Sequence, residues 1–276
     1  MLPRNIILIR HGESEGNIAN KRSRKGDHSA FSQEFRQRHS STWRLTDRGI
    51  WQAQSAGLWL SQAGLTEFGR KYTSEYLRAK ETALYLGLGG VWMPEFYLRE
   101  RDWGALDVIP EDERQEKFGA DLAKRASDCF YWAPPGNPSQ SMADLCLRID
   151  RVLATLHREC SHMPYVAIVC HGEVMWALCI RLERMTQFRY RELDASKHPF
   201  DHIHNCQIIH FSRLNPVSGE ETTRMTWKRS ICPWDTSLSS NEWQKIERRV
   251  LTEDNLRAEI ERVPRLINNP VTREGK

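Results

Sequence analysis

Two histidines in this sequence each follow a short apolar run directly. Residues 5–9 form one such run, which ends at Arg10 and His11, and residues 165–170 form another, which ends at His171. Short continuous apolar runs are typical of strands that are buried on both faces. In open α/β sheets, ligands bind just outside the carboxyl ends of such strands. We call each point where an apolar run ends at a histidine a histidine corner. One such corner alone could be a surface loop with a stray histidine, but two matching corners predict that both imidazoles lie at one edge of a sheet.

Paired imidazoles of this kind suit phosphoryl transfer. A neutral imidazole can attack phosphorus and hold the phosphoryl group covalently, which divides hydrolysis into two easier steps. The phosphate oxygens then need cations, and arginine binds them with a planar fork that keeps its charge. Arg10 is one candidate, and Arg78 is another because it falls in the first turn of a helix predicted to follow a strand ending near Ser74. The alternative for Arg78 is a surface position paired with Glu75 or Glu81.

A proton donor is also required in this chemistry, because the leaving oxygen must be protonated. Glu100 is the best candidate by its context, since it lies between two arginines and is followed by Trp103 and Gly104. Burial would decide whether its pKa suits the task.

The elements that must position these residues follow from the hydrophobic periodicity. Helical spacing predicts one helix that begins after Thr46 or Asp47 and ends near Gly64, and another that begins at Ser139 or Ser141. Further predicted helices cover residues 15–19, 75–86, 110–130 and 174–182, and further predicted strands cover 72–74, 205–211 and, at the sheet edge, 222–230. We expect a single α/β domain over 1–276, with an irregular basic insertion at 21–41 and a peripheral strand and helices at 213–276.

Composition excludes several functional classes. Forty basic residues against thirty-six acidic ones give a net charge of +4, which does not indicate a nucleic-acid-binding protein. The sequence lacks an apolar run long enough to cross a membrane. The first strand begins at once, so we expect no secretory signal and a cytoplasmic protein. The seven cysteines are scattered and lie mostly in apolar runs, which favours reduced and buried thiols.

Two segments allow more than one interpretation. The basic residues of 21–41 are most simply a solvated face, and attraction of an anionic substrate toward the His11 corner is the alternative. His198, His202 and His204 could suggest a metal site, but their spacing fits no standard zinc signature. We therefore expect no metal and interpret this segment as a loop that lines a pocket.

Several motifs, taken in order along the chain, resemble the histidine phosphatase superfamily and, within it, the phosphoglycerate mutase-like branch. They are Arg10-His11-Gly12-Glu13-Ser14 with Asn17, Leu45-Thr46 with Gly49 and Gln52-Ala53, Ser74 with Arg78-Ala79 and Thr82-Ala83, Leu98-Arg99-Glu100-Arg101 with Trp103-Gly104, and Cys170-His171-Gly172. The resemblance extends over residues 4–212. It implies a three-layer α/β/α fold with a mostly parallel central sheet.

The resemblance also implies a role for each matching residue. His11 would be the phosphorylated nucleophile and Glu100 the proton donor. The phosphate pocket would consist of Arg10, Asn17, Arg78 and His171, with no metal and no other cofactor.

Two departures from the family pattern bear on the substrate. The insertion at 21–41 is longer than the mutase pattern, so the wall that faces the substrate is expected to differ. Gln140 lies where many relatives carry a glutamate, so a carboxylate is lost. Both features favour a phosphatase that acts on a small phosphorylated metabolite. A cofactor-dependent phosphoglycerate mutase, a phosphoprotein phosphatase and a non-catalytic phosphate-binding interaction module are the alternatives, and a homo-oligomer is left open.

Overall fold

One seven-stranded sheet lies at the centre of the fold in residues 1–268, which the computed structural model describes. The strands are β1 Asn5–Arg10, β2 Arg70–Thr73, β3 Met93–Pro94, β4 Tyr165–Cys170, β5 Ile208–Ser212, β6 Trp227–Ile231 and β7 Gln244–Lys245. They lie in the order β3-β2-β4-β1-β5-β6-β7. The first four strands in that order are parallel, and β5, β6 and β7 pair antiparallel.

Strand β1 is buried on both of its faces, as the apolar run predicts. Ile6 and Leu8 pack into one hydrophobic cluster, whereas Ile7 and Ile9 pack into another. Because alternate side chains of a strand point to opposite faces, the two clusters lie on the two sides of the sheet. Helices cover both sides, so the predicted three-layer α/β/α architecture is confirmed.

The pairing of β1 with β4 brings the two histidine corners together. These neighbouring strands run parallel, and Arg10 lies opposite Cys170 in the register. His11 directly follows β1 and His171 directly follows β4, so the two histidines leave the sheet side by side at its carboxyl edge.

The helices predicted to begin after Thr46 and Ser141, and those predicted over 75–86, 110–130 and 174–182, agree with the structure within a few residues, whereas the helix predicted over 15–19 is longer. The helices at 33–37 and 187–195 were not predicted. The helices of the described residues are α1 Glu15–Ser23, α2 Gln33–Gln37, α3 Asp47–Gln62, α4 Leu77–Tyr85, α5 Glu111–Ser127, α6 Met142–Glu159, α7 Gly172–Glu183, α8 Gln187–Ala195 and α9 Glu253–Glu261. Side chains of Thr46 and Ser141 cap the starts of α3 and α6, as expected from their positions. None of the described helices has the length and apolar character needed to span a bilayer.

The basic insertion at 21–41 is not irregular, contrary to the prediction. It contains the end of α1, all of α2 and the start of a short 3-10 turn at Ser40–Thr42. The Ser32 hydroxyl accepts a hydrogen bond from the Phe35 backbone amide and so caps α2. The Phe35 ring stacks on Trp43 with centroids 5.0 Å apart. An aromatic anchor hidden among charged residues therefore orders a segment whose composition suggests a loop.

The strand predicted for 222–230 is also displaced. Strand β6 begins only at Trp227, and residues 222–226 form an irregular segment in which the Thr222 hydroxyl bonds the carbonyl oxygens of Arg213 and Arg224. This strand is not at the edge either, since the two-residue strand β7 pairs along its outer side. Residues 244–245 were expected to be helical.

The chain divides into two units, Met1–Ile246 and the residues from Glu247 onward. In the second unit, α9 begins with a capping box formed by Thr252 and Asn255. The predicted domain and its C-terminal helices extend through 276, and residues 269–276 lie outside the described residues.

Substitution of Gly57 tests the packing of α3 against the end of α4. A Cβ atom at Gly57 would lie 2.1 Å from the Leu86 carbonyl oxygen. We expect Gly57→Ala to lower the free energy of unfolding by about 1–3 kcal/mol, because the two backbones must separate. Denaturant unfolding of the purified protein measures this change.

Gly119→Ala is the matched control, since no atom lies within 4 Å of the added Cβ at this position in α5. It should leave stability unchanged or raise it by up to about 1 kcal/mol through helix propensity. Equal stability of the Gly57→Ala variant and the parent protein would contradict the proposed close contact.

Candidate active site

His11 lies buried at the carboxyl end of β1, with 2% of its surface exposed. Its Nδ1 is 2.7 Å from the carbonyl oxygen of Gly12. A carbonyl can only accept a hydrogen bond, so Nδ1 carries the proton and Nε2 keeps its lone pair. The free nitrogen is therefore the one that can act as a nucleophile.

Close backbone contacts hold the His11 corner in place. The Gly12 amide donates to the Thr82 hydroxyl on α4 at 3.0 Å. A Cβ atom on Gly12 would lie 2.3 Å from the carbonyl oxygen of Gly49 in the first turn of α3. Only glycine permits this approach, which explains why a glycine follows the histidine.

Arg78 faces the free nitrogen of His11. Its Nε donates to His11 Nε2 at 3.2 Å, and its Nη1 donates to the carbonyl oxygen of Ser40 at 2.7 Å. The guanidinium also packs on the Tyr76 ring, 4.8 Å from the centroid. Arg78 lies in the first turn of α4, as predicted, and is buried and not on the surface. Sequence reasoning missed Ser40, whose carbonyl comes from the insertion and carries no motif.

Arg10 precedes the nucleophile candidate and crosses toward the loop after α8. Its Nη1 donates to the carbonyl oxygen of Ile203 at 2.5 Å. Its buried Nε has no hydrogen-bond partner among the described residues and lies 3.3 Å from where a Cβ on Gly172 would be. A buried donor without a partner is costly, so this nitrogen is available to an anion.

Asn17 has its side-chain amide oriented by its neighbours. Its Oδ1 accepts hydrogen bonds from the Ser14 amide and from Asn205 Nδ2, each at 3.1 Å. Asn205 Nδ2 also donates to the carbonyl oxygen of His11 at 3.0 Å. Because both contacts require an oxygen, the Asn17 amide presents its NH₂ group elsewhere as a donor. Asn205 was missed by sequence reasoning, which treated its segment only as the start of a strand.

His171 lies beside His11 with their ring centroids 5.1 Å apart. Its Nε2 is 2.8 Å from the Ser74 hydroxyl at the end of β2. Its buried Nδ1 has no partner among the described residues, so it can bind a further group. Tyr76 packs against the other edge of this ring at 5.1 Å.

Burial controls the protonation of both imidazoles. Loss of solvent lowers the pKa of His11 well below its usual value, and the positive charges of Arg78 and Arg10 lower it further. The pKa of His171 is lowered by the same burial first and then by Arg78 and its neighbours. Both rings are therefore neutral near pH 7, which leaves the His11 lone pair available.

Glu100 experiences the opposite shift. Burial, followed by the negative charge of Glu173, raises its pKa to about 7, although Arg78 opposes the shift. Its Oε1 accepts a hydrogen bond from the Arg101 amide at 2.9 Å. A carboxyl group with this pKa exchanges its proton readily at physiological pH.

Arg148 holds the backbone around Glu100. Its guanidinium donates to the carbonyl oxygens of Tyr97 at 3.0 Å, Arg99 at 2.7 Å and Glu100 at 3.2 Å. Sequence reasoning missed this residue, although a signal was present. Arg148 lies beside Leu145 and Ile149 on the buried face of α6, where a charge is unusual without a specific partner.

A cavity of about 340 Å³ opens beside these residues. Its walls come from the insertion, from the start of α4 and from the segment after Glu100. The lining residues are Arg36, Gln37, Arg38, His39, Ser40, Tyr76, Arg78, Glu100, Arg101, Asp102, Trp103, Gly104, Asp107, Val108 and Pro138. The insertion therefore forms part of the wall next to the histidine pair.

The histidine-rich segment 198–204 does not line this cavity, and its interpretation as a loop that lines a pocket stays a prediction. His198 Nδ1 accepts from the Phe200 amide, and His204 Nε2 contacts the Pro199 carbonyl, so both rings serve the local turn. The segment reaches the site at Ile203, whose backbone carbonyl accepts a hydrogen bond from Arg10. Within residues 1–268, no three metal-ligating side chains lie together.

Comparison with known proteins agrees with this geometry. The family model described as "Histidine phosphatase superfamily (branch 1)" matches residues 6–209. A 2,3-bisphosphoglycerate-dependent phosphoglycerate mutase from Azorhizobium caulinodans is 30% identical over 67% of this chain and 84% of its own length.

Solved structures show the same fold. A mycobacterial glucosyl-3-phosphoglycerate phosphatase superposes with a TM-score of 0.57 at 22% identity, over 76% of this chain and 92% of that one. The alpha-ribazole phosphatase from Shigella flexneri gives a TM-score of 0.59 at 18% identity, over 80% and 96%. Since the family model spans most of the chain, from β1 to β5, this protein belongs to branch 1 of the histidine phosphatase superfamily.

Proposed function

We propose that this protein is a phosphomonoesterase that works through a phosphohistidine intermediate on His11. The observation that carries the proposal is the lone pair on His11 Nε2, which faces the Arg78 guanidinium at 3.2 Å in a buried site. An attacking nitrogen next to a phosphate-binding cation is what phosphoryl transfer to the protein requires. Membership of the superfamily and the phosphatases among the similar folds support it.

In the first step, His11 Nε2 attacks the phosphorus atom of the substrate. A P–N bond forms as the bond between phosphorus and the leaving oxygen breaks. Protonated Glu100 gives its proton to that oxygen, so a neutral alcohol departs. The raised pKa of Glu100, about 7, keeps a large fraction of the carboxyl group protonated at neutral pH.

In the second step, water replaces histidine on phosphorus. Glu100 is now a carboxylate and takes a proton from the attacking water, and the P–N bond breaks to return His11. The same carboxyl group thus acts as acid and then as base, and inorganic phosphate is released.

The transferred group needs its charge balanced throughout. Arg78 and Arg10 supply guanidinium groups, and the free Arg10 Nε is one donor not used by the protein itself. His171 Nδ1 and the Asn17 NH₂ group are further donors for the equatorial oxygens. Such donors act strongly because the site is buried and already organised.

A phosphoglycerate mutase is a second candidate, favoured by the 30% identity to a bacterial enzyme of that name. A mutase would convert 3-phosphoglycerate to its isomer without releasing phosphate. It must hold an intermediate that carries several negative charges while that intermediate reorients. The insertion at 21–41, which supplies part of the cavity wall, favours hydrolysis because it changes the surface on which such reorientation depends.

A non-catalytic interaction module is less favoured than either enzyme. A module of that kind would be expected to lack at least one reactive group. Here the nucleophile, the cations and the proton donor are all present, with His11 and Arg78 buried and Arg10 and Glu100 partly buried.

The proposal predicts the effect of removing the nucleophile. His11→Ala should reduce phosphate release from p-nitrophenyl phosphate to the background rate, because the variant lacks the nitrogen on which the proposed P–N bond forms. Steady-state assay of release at pH 6–7 measures this.

His28→Ala is the matched control, since His28 contacts Ser23 and Asp112 and does not line the cavity. It should retain the parent activity. Turnover by His11→Ala at a rate similar to the parent would remove His11 from the mechanism.

Glu100 gives a second prediction, on pH dependence. Its pKa is raised to about 7, so the acid form that protonates the leaving oxygen is present below pH 7 and is lost as the pH rises through that value. We expect kcat/KM for an alkyl phosphate to fall above about pH 7, because this parameter reports groups of the free enzyme. Measurement of kcat/KM from pH 5 to 9 tests this.

Aryl phosphate provides the control, because p-nitrophenolate leaves without needing a proton. The ratio of alkyl to aryl kcat/KM cancels changes in the charge of the phosphate itself. Glu100→Gln should lower kcat/KM for the alkyl phosphate by about 10²–10⁴-fold, with a much smaller loss of kcat/KM for the aryl ester, because this parameter does not include the later attack of water. An equal loss with both esters would contradict the role of Glu100 as proton donor.

A further inference from the structure

The cavity next to the histidine pair contains charges of both signs. Arg36 and Arg38 come from the insertion, whereas Asp102 and Asp107 come from the segment after Glu100. The substrate's leaving group would occupy this space, since Arg78 and Glu100 line the same cavity. Which of these charges are already paired within the protein therefore bears on the kind of leaving group that fits.

The two arginines are both engaged by the protein. Arg36 binds the Glu113 carboxylate through Nη1 at 2.6 Å and Nη2 at 3.0 Å, which is the bidentate geometry that arginine prefers. Arg38 donates to the carbonyl oxygen of Thr42 at 3.0 Å and lies 3.5 Å from the Glu15 carboxylate. The positive charge of the insertion is thus offset where it faces the cavity.

Arg101 lines the cavity as well. Its buried guanidinium donates to the carbonyl oxygens of Gln140 and Trp132 and lies 3.7 Å from the Glu173 carboxylate, so its charge is also offset.

The two aspartates differ from each other. Asp102 forms an ion pair with Arg99 at 3.2 Å. Asp107 is partly buried, and within the described residues its carboxylate has neither a hydrogen bond nor an ion pair. Its side chain lines the same cavity as Arg78, and its negative charge influences Arg78, Tyr76 and Arg114.

The aromatic side chains of the cavity point to the same type of ligand. Trp103 and Tyr76 both line it together with Asp107. Each ring already contacts a cation of the protein, since the Arg101 guanidinium lies 5.1 Å from the Trp103 ring and the Arg78 guanidinium lies 4.8 Å from the Tyr76 ring. Ring faces and carboxylates both attract cations, so an ammonium group suits this wall better than a carboxylate or a second phosphate does.

We infer that Asp107 forms a subsite for an ammonium group on the leaving alcohol, so that amino-alcohol phosphates are the preferred substrate class. This inference rests on the proposed phosphatase function and deepens it. A second anionic group on the leaving alcohol would face an unpaired carboxylate across the cavity. Phosphorylated hydroxy acids, including phosphoglycerates, are therefore poor substrates.

Two matched pairs of substrates test the inference on the full-length protein. Phosphoethanolamine and 2-phosphoglycolate form the short pair, and glucosamine 6-phosphate and 6-phosphogluconate form the long pair, which extends further into the cavity. The readout is the ratio of kcat/KM for the amine to kcat/KM for the carboxylate within each pair. In the parent protein we expect this ratio to be about tenfold or more in at least one pair, as one charged contact allows.

Asp107→Asn should lower that ratio by about tenfold, because the amide keeps the shape but removes the charge. Asp107→Ser is a second variant, and thermal unfolding identifies either variant that has lost its fold. Asp121→Asn is the matched control, since Asp121 pairs with Lys124 on the exposed side of α5 and lies outside the cavity. The control should keep the parent ratio.

Each outcome is decisive. A ratio that falls in the Asp107 variants and not in Asp121→Asn supports the subsite. A parent protein that prefers the carboxylates in both pairs, or a ratio that folded Asp107 variants leave unchanged, overturns it while phosphatase activity stands. Absence of phosphate release from these esters and from p-nitrophenyl phosphate overturns the proposed function and the inference with it.

Discussion

The parallel pairing of β1 with β4 is the constraint on which the rest of the structure depends. It sets Arg10 opposite Cys170, so that His11 and His171 leave the sheet as neighbours with ring centroids 5.1 Å apart. The apolar residues of both strands are almost fully buried, which fixes the register because a slip by one residue would move every side chain to the other face. The site is thus positioned by the buried centre of the sheet.

Burial gives the site its electrostatic character. The same loss of solvent lowers the pKa of His11 and raises that of Glu100 to about 7, so a neutral base and a protonated acid coexist near neutral pH. Buried guanidinium groups without a full set of partners are costly, and an anionic phosphoryl group would relieve that cost. Stability and reactivity are therefore opposed at this edge of the sheet, and Arg148 fixes the backbone around Glu100 through three carbonyl contacts.

Local patterns predict this fold and its central residues well, because strand burial, helix caps and the paired corners are all properties of short segments. Strand β4 and the capped starts of α3 and α6 lie where periodicity and capping residues place them. The remaining features depend on distant contacts. Ser40 acts through its backbone carbonyl, Asn205 through a contact 188 residues away in sequence, and the insertion is ordered by one aromatic stack. None of these has a signature in its own neighbourhood.

The central claim is a covalent bond between phosphorus and His11, and direct detection of that bond tests it best. The protein would be mixed with a ³²P-labelled phosphomonoester, and the reaction would be stopped with alkali within one turnover. The protein would then be digested and its peptides analysed by mass spectrometry. We expect a label that is stable in alkali, labile in acid and located on the peptide that contains His11. A label on any other residue, or phosphate release without a labelled peptide in repeated rapid quenches, would contradict the account.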